Sequence, residues 1–533
     1  MNLYKEIIKL ILNGKEPEKA INLVSKKLKP KKFPKIVEVL LAASPSERKL
    51  LFNKLKSKPS RTSSGVAPIA VMTSPHNCPH GKCIMCPGGV NSYFGNVPQS
   101  YTGYEPATRR AIRNDYNPYL QVFNRLEQYF LLNQYPEKVE LIIMGGTFLS
   151  YSKKYQENFI SQCYKAMNDF SKLSYKKFIE LFNLSPEKNL NQENDLIIKN
   201  KLLKKIKSTS LEKEKRINET SKIRCVALVI ETRPDQCSLE QIKFMNKLGV
   251  TRVELGVQSI YPEVLKKLKR GHTLQDSIDS TERLRNNGFK ITYHILLGAL
   301  GSNEKKDIEM FKILFQDEKF KPDGLKIYPC MILKGTELYN LYKKKLFKPL
   351  TTEKAIKIIS DIKKYIPEYC RVMRIQRDIP STMIEEGVKK TNLRQYIKTK
   401  CRCIRCREVG HKKIIKTPKI VLKQFNYQAS NSQEIFLSYE DVNNDALIGF
   451  LRLRLIKNKA HIRELHIYGN LTNLGKKGDY QHKGYGKLLL KKAEEICKQN
   501  KIKEISIISG IGVREYYKKL GYKLENNYMV KKA

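Results

Sequence analysis

No stretch of the sequence comes near the ~18 to 20 consecutive apolar residues that a membrane-spanning helix needs, so a helical membrane protein is excluded. Nor does the start read as a cleavable leader. Met1 to Leu12 alternates charge with apolar residues at helical spacing and has no small-residue cleavage site. The protein is therefore expected in the cytoplasm, where thiols stay reduced and clustered cysteines read as metal ligands rather than disulfides. Acidic residues are scarce: 52 Asp and Glu stand against 101 Lys and Arg, a formal charge of +49. Such an excess repels itself in a compact chain, and a polyanion such as nucleic acid would neutralise it. A lysine-rich proteome bias is the plainer alternative. No internal repeat is evident.

The 533 residues suffice for three to four domains of roughly 150 residues, and 41% hydrophobic content allows real cores. Residues 1–60 hold 15 Lys and Arg, five Glu and no Asp, with helical periodicity over Tyr4 to Leu12 and Ile36 to Leu51, and read as a small basic helical domain. Over 61–400, short aliphatic runs alternate with helical stretches: Ala67 to Met72, Val139 to Met144, Cys225 to Ile230, Arg252 to Val257, Ile291 to Leu297 and Leu325 to Tyr328. That order predicts a parallel sheet with crossover helices, a partial or full β/α barrel. Within it, residues 171–222 read as a charged insertion or mobile helices. A Cys-rich linker covers 401–416. Residues 417–533 read as an α+β module, with strands at Glu434 to Tyr439, Ala446 to Ile456, His461 to Tyr468 and Glu504 to Ser509. Helices are expected at Tyr485 to Gln499 and Arg514 to Leu520, and a last strand from Tyr522.

Three cysteines, Cys78, Cys83 and Cys86, lie within nine residues directly after the first predicted strand. Three thiolates on one loop can bind three irons of a 4Fe-4S cluster and leave the fourth iron open for a chelating ligand. A zinc site completed by His76 or His80, or cysteines without metal, are the competing readings. The next strand ends in Met144-Gly145-Gly146-Thr147, where glycines let the backbone approach a ligand closely. Later strands carry polar residues at their carboxyl ends, where a β/α barrel builds its active site: Glu231 to Asp235, Glu254 to Ser259, and Tyr293-His294.

These features together resemble the radical S-adenosylmethionine enzymes. The resemblance implies that the open iron takes the amino and carboxylate groups of S-adenosylmethionine, and that Gly145, Gly146, Thr147, Glu231 and Gln258 contact it. The usual spacing has three residues between the first two cysteines, whereas four separate Cys78 from Cys83 and two separate Cys83 from Cys86.

Gln481-His482-Lys483-Gly484-Tyr485-Gly486-Lys487 opens a predicted helix after the strand Arg463 to Tyr468. Glycines at a helix N-terminus expose N–H groups suited to a pyrophosphate, though a glycine-capped surface helix would look the same. With the late run Gly510-Ile511-Gly512 to Tyr522, this order resembles the GNAT acetyltransferase fold.

Both halves resemble one family over nearly the whole chain, the catalytic subunit of Elongator in its stand-alone archaeal form. Gln99 to Pro106, Met144 to Phe148, Glu231 to Asp235, Arg377 to Pro380 and Arg463 to His466 carry that likeness. The resemblance implies that Cys78, Cys83 and Cys86 hold the cluster. It implies acetyl-CoA contacts at Lys138, at Glu464, Leu465, His466 and Ile467, at Gln481, His482, Lys483, Gly484, Tyr485, Gly486 and Lys487, and at Tyr517. Lys138, Tyr516 and Tyr517 are the candidate catalytic residues. The implied reaction begins with a 5'-deoxyadenosyl radical, which takes hydrogen from the acetyl methyl group of acetyl-CoA. The carbon radical adds to C5 of the wobble uridine of a tRNA, and thioester hydrolysis leaves a carboxymethyl group. An external electron donor and a tRNA anticodon loop are the implied partners, without other Elongator subunits.

Cys401, Cys403, Cys406 and His411 can make a tetrahedral zinc site, or the interleaved arginines can mark an RNA-contacting strand. Arg371, Arg374, Arg377, Arg402, Arg405 and Arg407 are candidate phosphate contacts, and Tyr101, Tyr104 and Tyr328 candidate stacking partners for an unpaired base. Two other functions compete: a protein lysine acetyltransferase with Glu464 as general base and a structural cluster, and a non-catalytic tRNA-binding scaffold.

Overall fold

A computed structural model describes residues 3–51, 54–55, 65–182, 184, 192–204, 206, 208–469 and 483–532. Four N-terminal helices, Leu3–Leu12, Pro17–Leu28, Ile36–Ala42 and Pro45–Leu51, close on a core of Ile7, Ile8, Ile11, Ile21, Val24 and Val39. The periodic run expected over 36–51 is two helices, because Pro45 has no N–H to continue the first and starts the second instead.

Seven strands follow in one parallel sheet: β1 (Val66–Met72), β2 (Lys138–Met144), β3 (Arg224–Thr232), β4 (Arg252–Gln258), β5 (Lys290–Leu297), β6 (Gly324–Pro329) and β7 (Arg371–Ile375). Their spatial order is their chain order, with β1 and β7 at opposite edges, so the barrel is open. The strands alternate as a two-residue period demands. On β2, Val139, Leu141 and Ile143 are buried against the outer helices, while Lys138, Glu140, Ile142 and Met144 are half-buried on the other face. On β4 and β6 that second face carries Arg252 and Glu254, and Lys326, all of them buried. The concave side of the sheet is therefore lined with charge. In the segment 171–222, helices Tyr175–Phe182, Gln192–Leu203 and Leu211–Thr220 are formed. Phe178 and Phe182 join Phe123, Phe130 and Phe170 in one aromatic cluster.

The C-terminal sheet comprises β8 (Ile420–Ala429), β9 (Ser432–Asp441), β10 (Ala446–Ile456), β11 (Lys459–Ile467), β12 (Glu504–Ile507), β13 (Lys523–Glu525) and β14 (Tyr528–Lys532), ordered β8-β9-β10-β11-β12-β14-β13. Only β11 and β12 run parallel; every other pair is antiparallel. The single strand expected from Tyr522 is the hairpin β13–β14, turned at Asn526 and Asn527, both in the left-handed region.

The C-terminal module docks on the amino-terminal ends of the barrel strands. Arg463 and Arg452 converge on Asp323, the residue before β6, and Lys290, which opens β5, reaches Glu464 at 3.1 Å. Two glycines allow the close approach. A Cβ on Gly510 would lie 2.0 Å from the Val226 carbonyl, and one on Gly512 would lie 2.4 Å from Arg224 Cβ.

Candidate active site

Cys78, Cys83 and Cys86 lie at the carboxyl end of the barrel strands, on a cavity of about 140 Å3 that Gly146, Thr147, Glu231, Gln258, Arg270 and Tyr328 also line. Their sulfurs face a shared space without all lying within 4.8 Å of one another. A single zinc would need sulfurs about 3.8 Å apart for bonds of about 2.3 Å, so the spacing suits a larger metal cluster. Each sulfur has a neighbouring donor. Thr147 Oγ1 lies 3.7 Å from Cys78 Sγ, His80 Nε2 3.1 Å and Arg270 Nη1 3.3 Å from Cys83 Sγ, and the Ser100 N–H 3.2 Å from Cys86 Sγ. Burial pushes the Cys78 thiol up and the Cys86 thiol up to about 11, so these sulfurs are protonated at neutral pH until a metal takes the proton's place.

Gly145 and Gly146 both adopt positive φ, +121° and +102°. A Cβ on Gly145 would meet Thr73 Oγ1 at 2.2 Å and one on Gly146 would meet Gln99 Cβ at 3.0 Å, so the pair is needed first to fold the loop against its own neighbours. Gly146 and Thr147 reach the cavity, while Gly145 packs on Thr73.

The floor of the cavity is a layer of paired charges. Glu231 accepts from Tyr101 at 3.0 Å and pairs with Lys326 at 3.2 Å; Lys326 also pairs with Glu254. Glu254 meets His294 at 2.9 Å and Arg252 at 3.2 Å, and Arg252 continues to Glu140 at 2.7 Å. Glu231, Glu254 and His294 have their ligand atoms close enough for one metal ion, but the Lys326 ammonium bridges the two carboxylates there. Burial alone would raise the Glu254 carboxyl; Lys326, His294 and Arg252 hold it well below the usual range. Sequence reading missed Lys326 and Arg270, because their partners lie far away in the chain.

A second site forms where β11 parts from β12. The two pair only from Lys459↔Glu504 to Ile462↔Ile507, so from Arg463 onward β11 is bonded on one side by β10 and, among the described residues, its other edge has no strand partner. Glu464, Leu465, His466 and Ile467 on that edge are half-buried. A register shift leaves Arg463 as an extra residue opposite β10, the signature of a bulge. Gly484, at φ +85°, caps helix Tyr485–Gln499 without a side-chain bond; its carbonyl takes the Lys487 N–H at 2.9 Å, and the Tyr485 and Gly486 N–H groups ahead of it have no partner among the described residues. A Cβ on Gly486 would lie 3.4 Å from Tyr516 Oη and 3.7 Å from Ile467 Cγ1, so strand edge, helix start and tyrosine converge there. Lys483 and Lys487 flank this turn; Gln481 and His482 lie outside the described residues. Tyr516 is the tyrosine that reaches the loop, while Tyr517 is buried in the module's core. Lys138, at the foot of β2 beside Arg224, stands on the docking side of the barrel, away from the cysteines. Burial and Arg224 push its ammonium down.

Cys401, Cys403 and Cys406 hold their sulfurs within 4.8 Å of one another, a mononuclear geometry. His411 is not brought to them: the 3-10 turn Val409–His411 carries it to Glu408, 2.9 Å away. The arginines expected to meet phosphate are mostly occupied. Arg407 is buried on Glu440, Arg371 pairs with Glu408 and with Tyr468 at 2.8 Å, Arg402 spans Asp445 and Glu368, and Arg377 donates to the Ser100 carbonyl.

Residues 72–314 match the Radical SAM superfamily, 322–402 the Radical_SAM C-terminal domain, 1–63 the ELP3 N-terminal domain and 410–522 the acetyltransferase (GNAT) family. A tRNA uridine(34) acetyltransferase of Methanocaldococcus infernus is 48% identical over 93% of this chain and 91% of its own length. Elongator complex protein 3 of Saccharomyces cerevisiae is 37% identical over 96% of this chain and 91% of its own. The solved structure of the archaeal Methanocaldococcus infernus Elp3, lacking residues 1–46, superposes with a TM-score of 0.71 at 42% identity, covering 88% of this chain and all of that one. The radical SAM domain implies a 4Fe-4S cluster and S-adenosylmethionine, and the GNAT domain implies acetyl-CoA. The donors ringing the three sulfurs and the unpaired edge of β11 fit those groups. No helix among the described residues is long and apolar enough to cross a membrane. With an open β/α barrel joined to a GNAT module and relatives matched almost from end to end, the chain belongs to the family of Elongator complex protein 3 and the tRNA uridine(34) acetyltransferases.

Proposed function

We propose that the protein builds 5-carboxymethyluridine at the wobble position of tRNA, taking the added carbons from acetyl-CoA, with an external one-electron donor and without further Elongator subunits. The observation that carries this reading is the union of two sites in one chain. A cavity with three cysteines stands at one end of the barrel strands, and an acyl-CoA strand edge is bonded through Asp323 and Lys290 to the other. When held by Cys78, Cys83 and Cys86, a 4Fe-4S cluster would supply the single electron that reductive cleavage of S-adenosylmethionine needs.

The chain's own residues bind, orient and exclude water. Cys78, Cys83 and Cys86 hold the cluster; Gly146, Thr147, Glu231 and Gln258 shape the cavity for the nucleoside cofactor. The unpaired N–H and C=O groups of Glu464 to Ile467 bond the pantetheine arm, and the turn at Gly484 to Lys487 takes the pyrophosphate. Tyr516, beside the turn at Gly486, and Lys138, on the docking side of the barrel, orient the thioester. The basic surface holds tRNA through its phosphates, and Tyr101 and Tyr328 at the cavity wall stack an extruded base.

Lysine acetylation is the weaker reading for a specific reason. Burial would raise the Glu464 carboxyl, but Lys290, Arg452 and His466 bring it down to about 2, and a carboxylate held by two cations takes no proton from an ammonium. The test is anaerobic incubation of iron-reconstituted protein with reductant, S-adenosylmethionine, acetyl-CoA and tRNA, followed by nucleoside mass spectrometry. The expected products are 5'-deoxyadenosine and carboxymethyluridine. Acetyl-lysine without either would refute the proposal.

A further inference from the structure

Arg270 is a buried cation with no counter-ion among the described residues. Its side chain belongs to a residue only 8% exposed and lines the cysteine cavity. Nη2 donates to the Gly256 carbonyl at 2.7 Å, Nη1 to Cys83 Sγ at 3.3 Å, and Nε has no partner. No carboxylate among the described residues pairs with it. A guanidinium taken out of water costs several kcal/mol unless an anion compensates it, so the fold keeps this one for an anion it does not itself supply.

Two glycines are spent on that position. Gly256 leaves room where a Cβ would stand 3.0 Å from Nη2. Gly271, at φ +68°, leaves room where a Cβ would stand 2.6 Å from His80 Cβ, and His80 Nε2 then reaches the same sulfur at 3.1 Å. Cys83 therefore has two nitrogens beside its sulfur, one of them a permanently charged donor, whereas Cys78 has one weak hydroxyl contact and Cys86 accepts from the Ser100 N–H and donates its thiol to the Gln99 carbonyl oxygen. Such asymmetry is unnecessary for merely holding iron.

We propose that Arg270 is a positioning residue that sets the reduction potential of the cluster by donating to its Cys83 ligand. Hydrogen bonds and positive charge at a ligating sulfur stabilise the reduced, more negative cluster and raise its potential. The proposal rests on the cluster assignment to Cys78, Cys83 and Cys86 made above.

The test is an EPR-monitored redox titration of the full-length reconstituted protein, without S-adenosylmethionine, in wild type, Arg270→Gln and Arg270→Lys. Arg270→Gln is expected to bind as much iron as wild type and to titrate at a lower midpoint potential. Arg270→Lys, which keeps the charge and loses the fork, should fall between them. If either iron-loaded variant titrates at the wild-type potential, the inference is overturned. Failure of both variants to load iron overturns it as well, because a residue that only sets the potential is dispensable for assembly. A wild-type protein that takes up no cluster would instead refute the proposed function, which separates the two failures.

Discussion

Arg463 donates both terminal nitrogens to Asp323, at 2.7 and 2.6 Å, so that the bulged residue of β11 is bolted to the foot of barrel strand β6. The bulge that frees Arg463 from its own sheet lies where β11 loses its partner β12. The bulge that lets Arg463 reach the radical domain thus stands at the start of the edge that β12 leaves free.

Removing the anchor should be costly. Arg463, Arg452 and Arg285 all surround Asp323, and Asp323→Asn leaves these three guanidiniums only Glu434 and Glu464 as carboxylate partners among the described residues. Breaking a buried ion pair from one side costs about 3 to 5 kcal/mol. Urea unfolding of Asp323→Asn should show a loss of that size; a change below about 1 kcal/mol would mean that the anchor carries little of the docking.

The same contacts predict acid sensitivity. For Asp323 and Glu464, burial would raise the carboxyls, but the arginines around Asp323, and Lys290 with Arg452 around Glu464, hold both below their ordinary values, Glu464 down to about 2. Protonation therefore favours the unfolded state, so the stabilisation is complete above about pH 4.5 and drains away as pH falls toward about 2. Circular dichroism from pH 6 to pH 2 should show stability flat at first and falling through that window. A decline beginning near pH 6 would point to histidine instead.

Close packing at the docking face gives a sharper contrast. Gly510→Ala drives a Cβ onto the Val226 carbonyl, a backbone atom that cannot swing away, and should cost about 1 to 3 kcal/mol. Gly410→Ala meets nothing within 4 Å and should be within about 0.5 kcal/mol of wild type. Thermal shift measurements on the two variants decide the matter.

The two cysteine groups should separate by metal. Cys83→Ser is expected to lose iron while keeping zinc, and Cys403→Ser to lose zinc while keeping iron, by elemental analysis of reconstituted protein. Loss of both metals from either variant would mean a shared folding defect rather than two sites.

Much of this was legible in the sequence, and the exceptions share a cause. Runs such as Ile291 to Leu297 and Arg252 to Val257 read as strands because parallel strands covered on one side by helices are rich in aliphatic residues. Strand β7, Arg371-Val372-Met373-Arg374-Ile375, escaped because its arginines look like surface charge, although Arg371 is used inside the domain junction. Arg407 reads as a phosphate contact on the same ground, while its partner Glu440 is 33 residues away. Arg270 reaches Cys83 across 187 residues and Lys326 reaches Glu231 across 95, pairings that only the folded sheet creates. The cysteine triplet and the glycine turn were readable because their ligands are local.

The central claim, that the acetyl methyl group gives up hydrogen to the nucleoside cofactor before joining tRNA, is tested most directly with acetyl-CoA carrying a fully deuterated methyl group. One deuterium is expected in 5'-deoxyadenosine and two in the carboxymethyl group of the modified uridine. Undeuterated 5'-deoxyadenosine together with an intact trideuterated acetyl group on any acceptor would contradict it.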